Sequence, residues 1–376
     1  MSKNKSWRKR LLIGGLSALG ILGIAAAIGA YLDPFNTQFE DVEDAQLYTA
    51  DSFDVPRSEV GELRIMNWNA KFGGGRIDFF FDCHGDRVLM TKNEVIENLT
   101  GLAQKIKQYD PDIVFLQEID THSKRVADVD QMQWLLDHTN LNYGAYASQW
   151  RASLVPSDGI GHVDSGNGIL SKWSINHAER LALPLIGEQD PVTRYFYLKR
   201  NILRARIEVP GDTPLWVANI HTAAFAHDGT KSRQIEIFKD ELARLDEQGK
   251  IFVAAGDLNT IPPGSTHLHN FPDSVCEVEK FQADDYRSET GLLDSLYEKY
   301  DAAIPLEKYK ADNAPYFTHT TDKNGFWNRK LDYLFTNARF KPDSGMVHQD
   351  AKSGGMETMP LSDHAPVTVE MAWPPG

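Results

Sequence analysis

Six short apolar runs in this chain carry, at one end, a side chain able to do acid–base or ligand chemistry. LRIMNWNA (63–70) ends on Asn67 and Asn69, and DIVFLQEI (112–119) ends on Gln117 and Glu118. PLWVANIHT (214–222) delivers His221, and KIFVAAGDLN (250–259) delivers Asp257 and Asn259. RKLDYLFTN (329–337) carries Asp332, and APVTVEMAW (365–373) follows Asp363 and His364. Runs of this length, bounded by turn residues, read as buried strands. SGNGILS (165–171) and LRARIEV (203–209) read as two more. Between them lie helical stripes. Residues 91–109 place Val95, Ile96, Leu99, Leu102, Ala103 and Ile106 on one face, opened by a Thr91/Glu94 capping box and closed by Asp110-Pro111. Residues 230–248 repeat the pattern with Ile235, Phe238, Leu242 and Leu245. Such alternation specifies a layered α/β architecture. Few Pro- or Gly-rich linkers interrupt it, so residues 61–376 read as one catalytic domain.

The N-terminus differs. Lys3, Lys5, Arg8, Lys9 and Arg10 form a basic tail, residues 1–10, followed by 22 uncharged positions, 11–32. A helix of that length spans roughly 33 Å at about 1.5 Å per residue, enough for a bilayer core. The length favours a retained transmembrane signal anchor over a cleaved signal peptide, whose apolar stretch is about 7–15 residues. Small residues near Ala27 and Ala30 leave cleavage, and so secretion, as the alternative. The basic tail places that end in the cytoplasm and the remainder outside it. Residues 33–60, acidic and weakly periodic, read as a linker. The whole chain carries a net charge of −14, so charge alone does not draw it to polyanions. Cys83 and Cys276 are its two cysteines; they fit one disulfide in an oxidising compartment, or two unrelated thiols.

Taken singly, the strand-end residues say little. An Asp after a strand usually caps a helix or starts a turn, and a lone His such as His221 is more often structural. Together they form a kit. Hard oxygen ligands bind Mg²⁺ or Mn²⁺. A carboxylate activates water. Imidazolium and amide donors stabilise charge on phosphoryl oxygens.

In order, MNWNA, FLQEID, GNGILS, NIHT, GDLN, KLDYLF and SDHAPV resemble the motifs of the endonuclease/exonuclease/phosphatase superfamily, across residues 66–367. That superfamily includes deoxyribonucleases, abasic-site endonucleases, neutral sphingomyelinases and inositol-polyphosphate 5-phosphatases. The resemblance implies a deoxyribonuclease I-like, four-layer sandwich of two mixed sheets flanked by helices. It implies metal ligation by Glu118 and Asn69, with Asp363 contributing to the metal region, and Mg²⁺ or Mn²⁺ as cofactor. It implies that Asp257 is the general base and that Asn259 orients water and phosphate. His364 would contact the scissile phosphate, with Asp332 orienting its imidazole, and His221 would act as general acid or phosphate ligand. Asn67 and Asn167 are lesser candidates, each with a purely structural alternative.

The substrate is less legible. Inositol-polyphosphate 5-phosphatases carry an aromatic and an arginine after the counterpart of GDLN, where this chain has Thr260-Ile261-Pro262-Pro263. His221 resembles the deoxyribonuclease and sphingomyelinase branches. Acidity and the anchor favour a lipid headgroup or small phosphodiester outside the cytoplasm. A DNA or RNA nuclease is the alternative, and a catalytically inactive binding protein is disfavoured because every motif residue stands. Two insertions, 72–90 and 261–290, flank the motifs. Phe79-Phe80-Phe81 in the first either packs in the core or grips lipid. Arg194, Lys199 and Arg200 either meet a phosphate or line a solvated strand edge.

Overall fold

A computed structural model describes residues 20–24, 38–211, 213–277, 283–322 and 326–375. The basic tail 1–10 and most of the expected transmembrane segment 11–32 lie outside the described residues. Residues 20–24 are helical and exposed. Among the described residues no helix is long and apolar enough to cross a membrane.

The strands are, in chain order, β1 (Val42–Asp44), β2 (Gln46–Thr49), β3 (Glu62–Asn69), β4 (Ile113–Asp120), β5 (Tyr143–Val155), β6 (Gly161–Ser171) and β7 (Ile175–Ala182). They continue as β8 (Asn201–Ile207), β9 (Leu215–His221), β10 (Phe252–Asp257), β11 (Asp301–Ala302), β12 (Asp332–Thr336), β13 (Met346–Val347) and β14 (Val367–Ala372). They form two seven-stranded sheets, ordered β13-β14-β3-β4-β6-β5-β2 and β1-β7-β8-β9-β10-β12-β11. Both are mixed: β3–β4 and β9–β10 pair in parallel, and their neighbours pair antiparallel.

The four layers follow from strand alternation. Leu63 and Ile65 of β3, Ile113 and Phe115 of β4, Val217 of β9, Val253 and Ala255 of β10 and Leu334 of β12 meet between the sheets. The residues between them point outward, where Met66, Trp68, Val114 and Leu116 receive the helices Lys92–Tyr109 and Gln131–His138. On the far side Ala218, Ile220, Phe252, Ala254 and Phe335 receive Thr230–Glu247 and Asp294–Lys299. The capping box is formed: Thr91 Oγ1 accepts from the Glu94 N–H, and the Glu94 carboxylate accepts from the Thr91 N–H. This is the expected sandwich of two mixed sheets flanked by helices.

The segment 33–60 is not simply a linker. β1 pairs with β7 at the edge of one sheet, and β2 pairs with β5 at the edge of the other. Phe39 lies 4.0 Å beneath the Arg180 guanidinium, and Tyr48 is buried. Edge strands need only one covered face and one paired edge, so they carry no continuous apolar run to announce them. β5, at 13 residues the longest strand, was equally silent, because Gly, Ala, Ser, Gln and Arg dilute its apolar pattern.

Candidate active site

The inner-face phase that builds the core also builds the site. In β3 it runs Leu63, Ile65, Asn67, Asn69; in β9, Val217, Asn219, His221; in β10, Val253, Ala255, Asp257. In β12 it begins at Asp332, which pairs with Asp257 across the ladder. The parallel pairs and the antiparallel β12 thus bring these polar ends to one edge of the sandwich. Directly beneath, Gln117 Nε2 donates to Asn67 Oδ1 (2.8 Å) and Asn219 Oδ1 (2.6 Å), locking the sheets together. Asn67 is therefore a buried structural bridge.

Glu118 breaks the phase. With Gln117 facing inward, strict alternation would point residue 118 at the helices. Instead β4 bulges: its pairing with β6 shifts between Leu116 and Ile119, and Glu118 takes φ 53°. A bulge re-aims a side chain at the cost of one ladder step. Here it brings Glu118 Oε1 within 3.2 Å of Asn69 Nδ2, whose other contact is Asp257 Oδ2 at 3.0 Å. Gly256, before Asp257, has its own reason: a Cβ there would stand 2.0 Å from the Ile220 carbonyl oxygen.

His364 sits between two carboxylates. Its Nδ1 lies 2.8 Å from Asp332 Oδ2, and its Nε2 lies 3.6 Å from Asp257 Oδ2. Burial opposes a charge on the ring, but the anions of Asp332 and Asp257 prevail and raise its pKa to about 10. Burial also raises Asp257, to about 7, with Asp332 adding to the rise and His364 opposing it. His221 Nε2 approaches the same Asp257 oxygen at 3.4 Å. Burial holds His221 well below the ordinary imidazole value, with Arg200 and His364 adding to the effect, so it is neutral near pH 7. The two imidazoles share Asp257 as a neighbour; they differ because His364 also holds Asp332 on its Nδ1, whereas burial dominates at His221 with Arg200 and His364 adding to it. Asn259, at φ 45°, donates its N–H to Asp257 Oδ1 (2.9 Å) and its amide to the Thr222 carbonyl (3.1 Å).

Asp363 is salt-bridged to Lys71 Nζ at 3.4 Å, and Lys71 also reaches Asp82 at 3.3 Å. Lys71 holds the Asp363 carboxyl below the usual range despite burial. Burial raises Glu118, and the Asp363 charge raises it further. Glu118 is thus a carboxylate pressed towards its neutral form beside a second carboxylate; Asn69 turns its amide nitrogen to Glu118 while its Oδ1 accepts the Lys71 N–H (3.0 Å), so its amide must rotate to add an oxygen to the set. That donor set fits a hard divalent cation. Asp363 shares its charge with Lys71 and so belongs to the rim of this arrangement.

Other expected residues lie elsewhere. Asn167 donates to the Asn201 carbonyl and side chain, within the inter-sheet core. Arg194 pins its own loop through Gln189 O (3.0 Å), and buried Lys199 donates to Tyr195 O (3.1 Å). Arg200, by contrast, is half-buried beside the site: burial lowers its pKa, and the charges of Tyr197, Glu118 and Asp257 oppose that fall. Two residues had no sequence signal. Lys71 follows MNWNA unremarkably. His319 is half-buried, with a buried Nδ1 that has no hydrogen-bond partner, and its ring lies 4.4 Å from that of His364, tilted by 48°. Its partner is 45 positions away, which no local pattern reports. The cysteines do join: Cys83 and Cys276 form a disulfide, stapling both insertions together.

Residues 66–364 match the model of the Endonuclease/Exonuclease/phosphatase family. The chain belongs to that family. Members of the Endonuclease/Exonuclease/phosphatase family are generally phosphoester hydrolases or nucleases, typically dependent on a divalent metal. Among solved structures, one similar in fold is an endonuclease/exonuclease/phosphatase from Beutenbergia cavernae DSM 12333, at 17% identity and TM-score 0.52, covering 83% of this chain and 71% of that one. Another is a functionally unknown conserved protein from Enterococcus faecalis V583, at 15% identity and TM-score 0.50, covering 82% of this chain and 100% of that one. Truncated Caenorhabditis elegans TDP2 matches at 16% identity and TM-score 0.46, covering 83% and 97%. No curated protein matches the chain.

Proposed function

We propose that this chain is a divalent-metal-dependent phosphodiesterase acting outside the cytoplasm on a lipid headgroup or small phosphodiester. The observation that carries the reading is the pairing of a cationic His364 with a proton-accepting Asp257 at 3.6 Å. Water attacks phosphorus and gives its proton to Asp257, whose pKa near neutrality suits a general base. The bond from phosphorus to the leaving oxygen breaks, and His364 supplies a proton to that oxygen. Neutral His221 and the Asn259 amide donate hydrogen bonds to phosphoryl oxygens. Mg²⁺ or Mn²⁺, held by Glu118 and Asn69 with Asp363 at the rim, would neutralise charge on the phosphoryl group.

The disulfide supports an extracytoplasmic location, since such bonds persist in oxidising compartments. The apolar run 11–32 supports anchoring with the N-terminus in the cytoplasm. Phe79 packs in the core, whereas Phe80 and Phe81 are 38% and 46% exposed, which supports contact with a lipid. The acidic chain gives a polyanionic nucleic acid no electrostatic advantage.

The test uses the full chain in detergent. Bis-p-nitrophenyl phosphate, p-nitrophenyl phosphate, sphingomyelin liposomes and plasmid DNA are each offered with Mg²⁺, Mn²⁺ or EDTA, beside Asp257→Ala. Diester turnover that needs metal, with a loss of about 10²–10⁴ in Asp257→Ala, supports the reading. Preference for plasmid DNA would replace it with the nuclease reading. Silence on all four substrates would count against the reading, in favour of a binding protein on this fold or of a different phosphate ester as substrate.

A further inference from the structure

Away from the active site, three side chains converge on the surface: His122, Asp128 and His162. His162 Nε2 lies 2.6 Å from Asp128 Oδ1, and His122 Nδ1 lies 3.4 Å from the same oxygen. The two imidazoles stack with centroids 4.8 Å apart and planes 26° apart. One ligand atom from each residue lies within 4.8 Å of the other two. We propose that His122, Asp128 and His162 form a surface site for a zinc-class divalent cation, independent of the proposed catalytic reading.

The donor set selects the metal. Two imidazole nitrogens and one carboxylate oxygen suit Zn²⁺ and its late first-row neighbours, with water completing the shell. Mg²⁺ prefers oxygen ligands and dehydrates reluctantly, so it competes poorly here. A second group of two imidazoles and one carboxylate, His319, Asp363 and His364, lies at the active site, so the surface site is counted as the difference between wild type and a chain lacking His122 and His162; the one disulfide removes both thiols from competition.

The backbone carrying the ligands is already fixed. His122 follows β4, Asp128 follows a short 3-10 turn at Lys124–Val126, and His162 lies in β6. Thr121 N–H donates to the Asp164 carbonyl at 3.0 Å, and Asp128 N–H donates to the Ser123 carbonyl at 3.0 Å. Asp164 N–H donates to Ser123 Oγ at 2.9 Å, tying the loop to β6. Arg125 holds Asp120 with two hydrogen bonds at 2.7 and 2.9 Å. Only side-chain freedom is lost on binding. The His122 side chain is 73% exposed and that of Asp128 is 50% exposed, so a cation enters directly from solvent. A bound ion would cross-link the loop after Glu118 to the strand opposite its bulge.

The experiment titrates tag-free full chain in detergent with Zn²⁺ against a chromophoric chelator, with millimolar Mg²⁺ present throughout. Wild type should take one more Zn²⁺ equivalent than His122→Ala/His162→Ala. Glu118→Gln should match wild type in that difference, and Asp128→Asn should bind at least about tenfold more weakly. The double variant should keep its metal-free circular dichroism and its Mg²⁺-dependent turnover. Cu²⁺ electron paramagnetic resonance gives a second readout: coupling to two nitrogens in wild type, and to one in His122→Ala. Equal Zn²⁺ equivalents in wild type and double variant, or Cu²⁺ spectra unchanged by His122→Ala, would overturn the assignment.

Discussion

Asp332 acts on two neighbours at once. Its charge raises the pKa of His364, to about 10, and helps raise that of Asp257, to about 7. Asp257 accepts a proton only once it is deprotonated, and His364 donates only while it is protonated. The profile of kcat/KM against pH should therefore climb through about 7 and fall through about 10. Replacing the charge in Asp332→Asn lowers both pKa values, so both limbs should shift to lower pH. An alkaline limb that stays in place would remove His364 from the reaction. Asp332→Asn also replaces the charged acceptor at 2.8 Å with a neutral amide that holds the imidazole more weakly, so the rate should fall at every pH.

At the scale of elements, the bulge in β4 decides whether Glu118 reaches the site. Gly166 of β6 pairs with Ile119 just past the register shift, and a Cβ at Gly166 would stand 2.1 Å from the Ala147 carbonyl oxygen. Backbone cannot yield there without moving β5 or β6. Gly166→Ala should thus cost roughly 2 kcal/mol or more in chemical denaturation and weaken Mg²⁺ dependence as Glu118 is displaced. Unchanged stability and metal response would mean that the bulge absorbs the change. The helix Lys92–Tyr109 offers a cleaner case, because its N-cap hydroxyl touches neither sheet core nor site. Thr91→Ala should cost about 1 kcal/mol and leave turnover unaltered. A loss of turnover would mean that this helix positions the site as well as covering the sheet.

On the scale of the whole molecule, the disulfide joins positions 193 residues apart. Closing so long a loop restricts the unfolded chain, with an upper value of about 5 kcal/mol. Cys83→Ser/Cys276→Ser should lower the denaturation midpoint strongly, and intact mass should show one disulfide in the wild type. The bond also bears on the site. Cys83 adjoins Asp82, which contacts Lys71, which in turn contacts Asp363. Cys276 lies close to Asp273, which forms a buried ion pair with Arg329 at 2.9 Å. Loosening the first insertion should therefore lower activity along with stability. Full activity in the double variant would limit the bond to a stabilising role.

Local periodicity determined much of this protein. Short apolar runs bounded by turn residues marked the central strands, the 3.6-residue stripe marked the two long helices, and Thr91 with Glu94 marked a helix start. The strand-end motifs named Asn69, Glu118, His221, Asp257, Asn259, Asp332, Asp363 and His364 as candidates; one inner-face phase supplies the core and four of them, Asn69, His221, Asp257 and Asp332. Tertiary structure decided what depends on distant partners. The bulge at Glu118 arises from pairing with β6, and the two edge strands within 38–60 gain their identity from β5 and β7. Lys71 and His319 gain their places from loops far away in the chain. The neutral state of His221 and the cationic state of His364 follow from burial at the one and from the neighbouring Asp332 carboxylate at the other. The sequence carries the residue types; only the packed sheets set the field in which they ionise.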